Sequence, residues 1–258
     1  MNIVITGTSS GLGKLLADKF RSQKHNVIGL SRTKTHEDDI SCDISSLEAI
    51  ENAFLVIKQK YSHIDLLINN AGYGVSGATE LIPYESAKHI FDVNFFGTLN
   101  CTKFGLPLMQ KHSRIVNISS VSAMFALPYR ALYSASKSAV SLLSYSMRME
   151  LAPAGIDVVC ICPGDTKTPF TKNREKHFET NERYENRIAN ATNKVDGRND
   201  KRMSAELVAS KIYKIISKKK SKPMYIIGAK YKLLHFASKI FPLSLLLKAT
   251  MKAYGGKK

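Results

Sequence analysis

Asn2-Ile3-Val4-Ile5-Thr6-Gly7-Thr8-Ser9-Ser10-Gly11-Leu12-Gly13 opens the chain and decides how the rest of it reads. A short β-rich apolar run leads directly into a glycine-rich turn, and Leu12, Leu15, Leu16 and Phe20 then recur at helical spacing. Strand, glycine turn and helix N-terminus, in that order, make a phosphate cradle. Glycine lets the backbone approach a pyrophosphate, and free N–H groups at the helix start face the anion. An ordinary tight turn does not require that order of elements. Gly7, Ser9, Ser10, Gly11, Leu12 and Gly13 are therefore candidates for holding a dinucleotide.

Outward from this stretch, strand-like runs fall at 2–6, 26–31, 38–42, 64–69, 113–119, 156–162 and 223–228. Helical segments fall near 11–23, 46–60, 84–111, 131–152 and 204–217. Such alternation predicts an α/β fold of three layers, a Rossmann-like doubly wound parallel sheet with helices on both faces. A chain of 258 residues with 44% apolar content suits one domain with a full core. Only residues 32–42 separate Ser31 from Asp43, so a loop is expected there in place of a crossover helix. No repeat or low-complexity run is present, and no apolar stretch has the length of a membrane span. The chain enters a strand at once, so no signal peptide is expected. The four cysteines, Cys42, Cys101, Cys160 and Cys162, are few for this length. Cys160 and Cys162, alternating in an apolar run, read as two buried thiols, and a reducing cytoplasm is expected. The histidines show no metal-ligand spacing, and no metal is expected.

Charge is lopsided. Residues 1–165 hold 15 Lys and Arg against 14 Asp and Glu, whereas residues 166–258 hold 23 against 7. The excess suggests either an anionic partner or a solvated basic face. Nucleic acid is not expected, because no recognition motif accompanies the charge.

Tyr133-Ser134-Ala135-Ser136-Lys137 follows a Ser119-Ser120 pair that ends an apolar run. On a helix, positions i and i+4 share a face. A lysine ammonium there favours the phenolate and lowers the tyrosine pKa toward the range useful to a general acid/base.

The glycine turn, Asn69-Asn70-Ala71-Gly72, Asn94, Ser120, Tyr133, Lys137 and Pro163-Gly164 together resemble the short-chain dehydrogenase/reductase family. The spacing is that of its single-domain branch of about 250 residues. The resemblance covers residues 1–228, taken as an NADP-binding domain that includes the catalytic site. Residues 229–258 form a basic, apolar tail, part of the same domain or peripheral to it. The resemblance implies hydride transfer between nicotinamide and a carbonyl or alcohol, with Tyr133 as acid or base. It makes Ser120 the hydroxyl that holds the substrate oxygen, Lys137 a modulator of Tyr133 that also bonds the nicotinamide ribose, and Asn94 the holder of a water leading from Lys137 to solvent. It also places Asn70, Ala71 and Gly72 along the adenosine side, Asp43 with its neighbour Ile44 at the adenine, and Pro163, Gly164, Thr166 and Thr168 near the nicotinamide. The family usually has an aliphatic residue where Thr166 stands. NAD-preferring relatives carry an acid at the end of the second strand. Here Ser31 and Arg32 stand there, and a guanidinium suits a 2′-phosphate, so NADP(H) is expected over NAD(H).

Residues 166–203 are polar, with Lys167, Lys172, Arg174, Lys176, His177, Arg183 and Arg187, and read as a mobile lid or a solvated face. In the tail, Leu233, Leu234, Ala237, Ile240 and Phe241 can form one helical stripe, which Pro242 ends or follows with a new helix. Three readings of the tail stay open: a cover over the pocket, a subunit interface, or peripheral contact with an anionic membrane. An apolar lining favours a lipophilic substrate. The family implies a homodimer or homotetramer through 84–111 and 131–152. A non-catalytic NADP(H)-sensing regulator on the same fold is the alternative function. A sugar-nucleotide epimerase of the longer sister branch is set aside for want of an extra substrate domain.

Overall fold

A computed structural model describes residues 1–197 and 202–254. Strand β1 (Asn2–Thr6) is followed by helix α1 (Gly11–Ser22), β2 (Asn26–Ser31), a two-residue β3 (Ile40–Ser41), α2 (Leu47–Lys60) and β4 (Ile64–Asn69). Next come β5 (Val75–Ser76), α3 (Tyr84–Phe91), α4 (Gly97–Gly105), β6 (Met109–Ile118), α5 (Ala131–Leu151) and β7 (Asp157–Pro163). Short strands β8 (Thr166–Lys167) and β9 (Glu175–Lys176) precede α6 (Arg187–Asp196), β10 (Met203–Ser204), α7 (Ala205–Ile216) and β11 (Met224–Ile227). The chain ends in α8 (Ala229–Ala237) and α9 (Leu243–Ala253).

Seven strands form one parallel sheet in the order β11-β7-β6-β4-β1-β2-β3. The order reverses between β1 and β4, and a ligand crevice opens beyond the strand ends at such a switch point. Strand alternation builds both faces. Ile3, Ile5, Leu66, Ile68 and Val116 pack with Leu16, Phe20, Val208 and Ile212 on one side. Val4, Leu67 and Ile115 pack with Ile50, Phe54, Cys101 and Met147 on the other. This is the expected Rossmann-like three-layer fold.

The departures are local. The expected helix over 84–111 runs as four successive pieces. After α3 the backbone widens into a π-turn at Asp92–Phe96, resumes as α4, and tightens through Leu106–Leu108 before β6 starts at Met109, four residues earlier than the sequence suggested. Pro107, lacking an N–H, helps stop the helix. The strand expected at 38–42 shrinks to two residues. Asp39, buried beneath β2, accepts hydrogen bonds from Gly29 N (3.1 Å), Thr35 N (2.9 Å), Thr35 Oγ1 (3.0 Å) and Arg21 Nη2 (2.6 Å). That carboxylate organises the loop that stands in for a crossover helix. The polar stretch 166–203 contains an unexpected amphipathic helix, α6, which buries Ile188, Ala191 and Val195. Pro242 does separate two helices, α8 and α9, and neither contains a buried residue.

Candidate active site

The glycine turn lies at the switch point. Asn70, at the end of β4, donates from Nδ2 to Thr6 O (3.0 Å) and Gly7 O (3.3 Å), while Thr6 Oγ1 accepts from Asn70 N and Ala71 N (both 2.9 Å). These bonds tie the two strand ends together. A methyl group on Gly13 would overlap the Gly7 carbonyl oxygen and Asn70 Nδ2, so α1 can sit this close only with glycine there. Lys14 N is the first amide of α1 to bond within the helix, to Ser10 O (3.3 Å), and the Ser10 side chain makes no cap bond. The amides before Lys14 thus lack helical partners, which suits a pyrophosphate.

A cavity of about 560 Å³ runs from this turn to Tyr133. Gly7, Ser9, Ser10, Gly11, Leu12, Ser31, Arg32, Asp43 and Ile44 line it on the dinucleotide side. Asn70, Ala71, Gly72, Ser120, Tyr133, Lys137, Pro163, Gly164, Thr166 and Thr168 complete the expected set along its length. Two expected residues do not line it. Gly13 acts by packing, as above. Asn94, fully buried in the π-turn, lies behind the wall. Its Oδ1 accepts from Tyr73 N (3.0 Å), and its Nδ2 donates to Tyr73 O (3.0 Å) and Ser136 Oγ (3.0 Å). Asn94 therefore spends its amide on the Tyr73 backbone and α5. Gly72 leaves room between Asn94 and Lys137: a Cβ there would lie 2.8 Å from Asn94 Oδ1 and 3.1 Å from Lys137 Nζ.

Tyr133 and Lys137 stand one turn apart on α5. Lys137, 4% exposed, donates from Nζ to Ile118 O (2.9 Å), and burial pushes its pKa down to about 8. Tyr133 packs its ring on Phe170, with centroids 5.5 Å apart. Burial raises its pKa above the usual phenol value, against the lowering effects of a hydrogen bond with Ser120 and of the Arg130 and Arg174 guanidinia. The charges that oppose burial thus come from arginines, where the sequence pattern had pointed to Lys137. Ser120 caps the turn Val121–Ala123 by accepting from Ser122 N (3.1 Å). Thr166 donates to Gly164 O (2.8 Å), so its hydroxyl serves the local turn. Ser31 donates to Thr33 O (2.7 Å) and lies 3.4 Å from Thr8 Oγ1, turned into its own loop.

The sequence pattern had not singled out Arg130, Phe170, Asn173 or Arg202, all of which line the cavity. Arg174 lay among the polar residues of the expected lid, and it is buried and paired with Asp196 (2.9 Å). Other polar groups of that segment have partners too: Lys176 pairs with Asp196 (2.7 Å) and Arg183 with Glu80 (2.8 Å), and the His177 ring meets Glu175 (2.8 Å). From the tail, Tyr231 accepts at its hydroxyl from Asp165 N (3.3 Å), and Tyr254 comes within electrostatic reach of Arg130. Cys160 and Cys162 are buried free thiols with Sγ atoms 3.8 Å apart. His36, Glu37 and Asp38 cluster on a surface loop, where Asp38 already pairs with Lys60 (2.5 Å).

A family profile described as short chain dehydrogenase matches residues 1–179. The probable short-chain type dehydrogenase/reductase VdlC of Helicobacter pylori is 36% identical, the alignment covering 93% of each chain. A 3-ketodihydrosphingosine reductase of Bacteroides thetaiotaomicron is 40% identical over 67% of this chain and 66% of its own. Among solved structures, a short-chain dehydrogenase from Streptomyces avermitilis superposes with a TM-score of 0.83 over 97% of both chains, at 26% identity. With a glycine cradle at the sheet's switch point, a family profile over residues 1–179 and two relatives that cover 93% and 97% of it, the chain belongs to the short-chain dehydrogenase/reductase family of hydride-transferring oxidoreductases.

Proposed function

We propose that the protein is an NADP(H)-dependent oxidoreductase of a lipophilic carbonyl or alcohol, with Tyr133 as its general acid/base and residues 1–228 as the working unit. The observation that carries this reading is the single cavity shared by the glycine turn, Ser120, Tyr133 and Lys137. When bound, the nicotinamide supplies or accepts the hydride. Tyr133 gives its proton to the carbonyl oxygen in reduction and takes it back in oxidation. Ser120 and Tyr133 both aim hydrogen bonds at the oxygen that gains charge, which lowers the barrier. Lys137, easily deprotonated at its depressed pKa, is suited to pass the proton on. Asn94 is a positioning residue that fixes the Tyr73 backbone against α5.

Preference for NADP(H) is supported by Arg32 at the cavity rim and by Ser31 where a carboxylate would repel a 2′-phosphate. A lipophilic substrate is supported by Tyr73 and Phe170 packed near Tyr133, by Val93, Val121 and Val195 elsewhere in the cavity wall, and by the sphingoid relative. Phe96, Leu142 and Met149 stand exposed on the π-turn and α5, and suit burial between subunits of a homodimer or homotetramer. Four buried free cysteines suit a cytoplasmic setting. No described helix is long and apolar enough to cross a membrane. The exposed Leu233, Phe236, Ile240, Phe241, Leu243 and Leu245 of the tail, flanked by Lys230, Lys232, Lys239 and Lys248, suit peripheral contact with an anionic bilayer. The test of the main reading is a screen of long-chain, steroid-like and small polar carbonyls by NADPH absorbance. Turnover of any one should disappear in Tyr133→Phe while NADPH still binds. A Tyr133→Phe enzyme that works at the wild-type rate would remove Tyr133 from the chemistry.

A further inference from the structure

We propose that Arg130 holds a carboxylate or phosphate carried by the substrate whose carbonyl meets Tyr133. The inference rests on the oxidoreductase reading and narrows its substrate to an amphiphilic anion. Arg130 forms the N-cap of α5, three residues before Tyr133, and lines the cavity while only 9% exposed. Its guanidinium makes no hydrogen bond or ion pair with any described residue, and its Nη2 is buried without a partner.

The other buried and half-buried arginines differ. Arg21 pairs with Asp39 (2.6 Å), Arg114 and Arg148 share Asp157 (2.7 and 2.5 Å), and Arg174 holds Asp196 (2.9 Å). Arg202, at the same end of the cavity, donates to Thr171 Oγ1 (3.0 Å) and Val195 O (2.8 Å). Desolvating a cation without a counter-ion is expensive, so a ligand that brings the missing anion accounts for the arrangement. The cavity's own acids do not fill the role. Asp43, on the dinucleotide side, accepts from Ser45 N (2.9 Å) and Oγ (2.8 Å), Glu175 is occupied by Ser86 (2.5 Å) and His177 (2.8 Å), and Asp165 attracts Arg130 without bonding it. A planar guanidinium fork matches the paired oxygens of a carboxylate or phosphate. Arg130 stands one helical turn from Tyr133 and feels the charges of Arg174, Tyr254, Asp165 and Tyr133, whereas the glycine turn is met by Asn70 and Thr168. The anion is therefore assigned to the substrate and the pyrophosphate to the turn.

Calorimetric titration of the NADP⁺-loaded enzyme with decanoate, decyl phosphate and decanol tests this without turnover. At least one anion should bind about 10- to 100-fold more tightly than decanol, the range for a charge-assisted contact. The better of the two identifies the acid group. The contrast should collapse in Arg130→Gln and persist in part in Arg130→Lys, which keeps the charge but loses the fork. Decanol binding as well as both anions to the wild type, or a contrast that survives in Arg130→Gln, overturns the assignment. So does a loss of NADP⁺ affinity in Arg130→Gln with the contrast intact, which would give Arg130 to the cofactor. Should Arg130→Gln not fold, the wild-type contrast and Arg130→Lys decide. Failure of the carbonyl screen would remove the oxidoreductase reading and leave these titrations readable.

Discussion

Replacing Lys137 with methionine should make the protein more stable at neutral pH while silencing it. Folding buries this ammonium to 4% exposure and moves its pKa from 10.5 to about 8. At 1.36 kcal/mol per pKa unit, that opposes folding by about 3 kcal/mol while the lysine is charged. Methionine fills a similar volume without the charge, but it abandons the bond to Ile118 O, a loss of about 1–2 kcal/mol. The net gain is about 1–2 kcal/mol at pH 7, or about 2–4 °C in Tm for a chain of this size.

The pH dependence has a definite sign. Below about 8 both folded and unfolded states carry the proton, and the full penalty is present. Between about 8 and 10.5 the unfolded state binds more protons, so wild-type stability rises with pH relative to the variant. Near pH 10 the penalty is almost gone, and the lost hydrogen bond leaves the variant less stable. Thermal unfolding of both proteins at pH 7 and 10, followed by circular dichroism, reads the difference directly. A methionine variant less stable than wild type at pH 7, or a difference that is flat between the two pH values, would refute the reasoning. The gain in stability on losing a functional charge is the stability–activity exchange expected of a preorganised site.

Gly13→Ala should destabilise by about 1–3 kcal/mol, since its methyl meets the Gly7 carbonyl, and should weaken NADPH; an unchanged denaturation midpoint would contradict the packing argument. Arg32→Ala should weaken NADPH by about 10- to 100-fold and leave NADH almost unaffected, and equal losses for both would remove Arg32 from 2′-phosphate binding. Sedimentation with vesicles at low salt should show the protein on anionic but not neutral bilayers, with release as salt rises; no binding to either rejects the membrane role of the tail.

Much of the site was legible because its signals are local. The strand, glycine turn and helix of residues 2–22 are contiguous, and Tyr133 and Lys137 meet through one helical turn. In the structure the pleat of that apolar run sets Ile3 and Ile5 on one face of the sheet and Val4 on the other. Residues whose meaning depends on distant partners were not legible. Asp39 looks like one more acid until Gly29, Thr35 and Arg21 close around it. Asn94 was recognisable by position, but its clamp on Tyr73 depends on a π-turn that no periodicity marks. Arg130 carries no motif at all. The sequence by itself determined the doubly wound sheet, the dinucleotide cradle and the tyrosine–lysine pair, because short-range sterics and hydrophobic periodicity suffice for them. Only the tertiary structure decided which charges are buried and which find partners. Solvation and pairing are set by groups that the chain brings together from far apart, and they made Arg130 the cation that waits for an anion from outside.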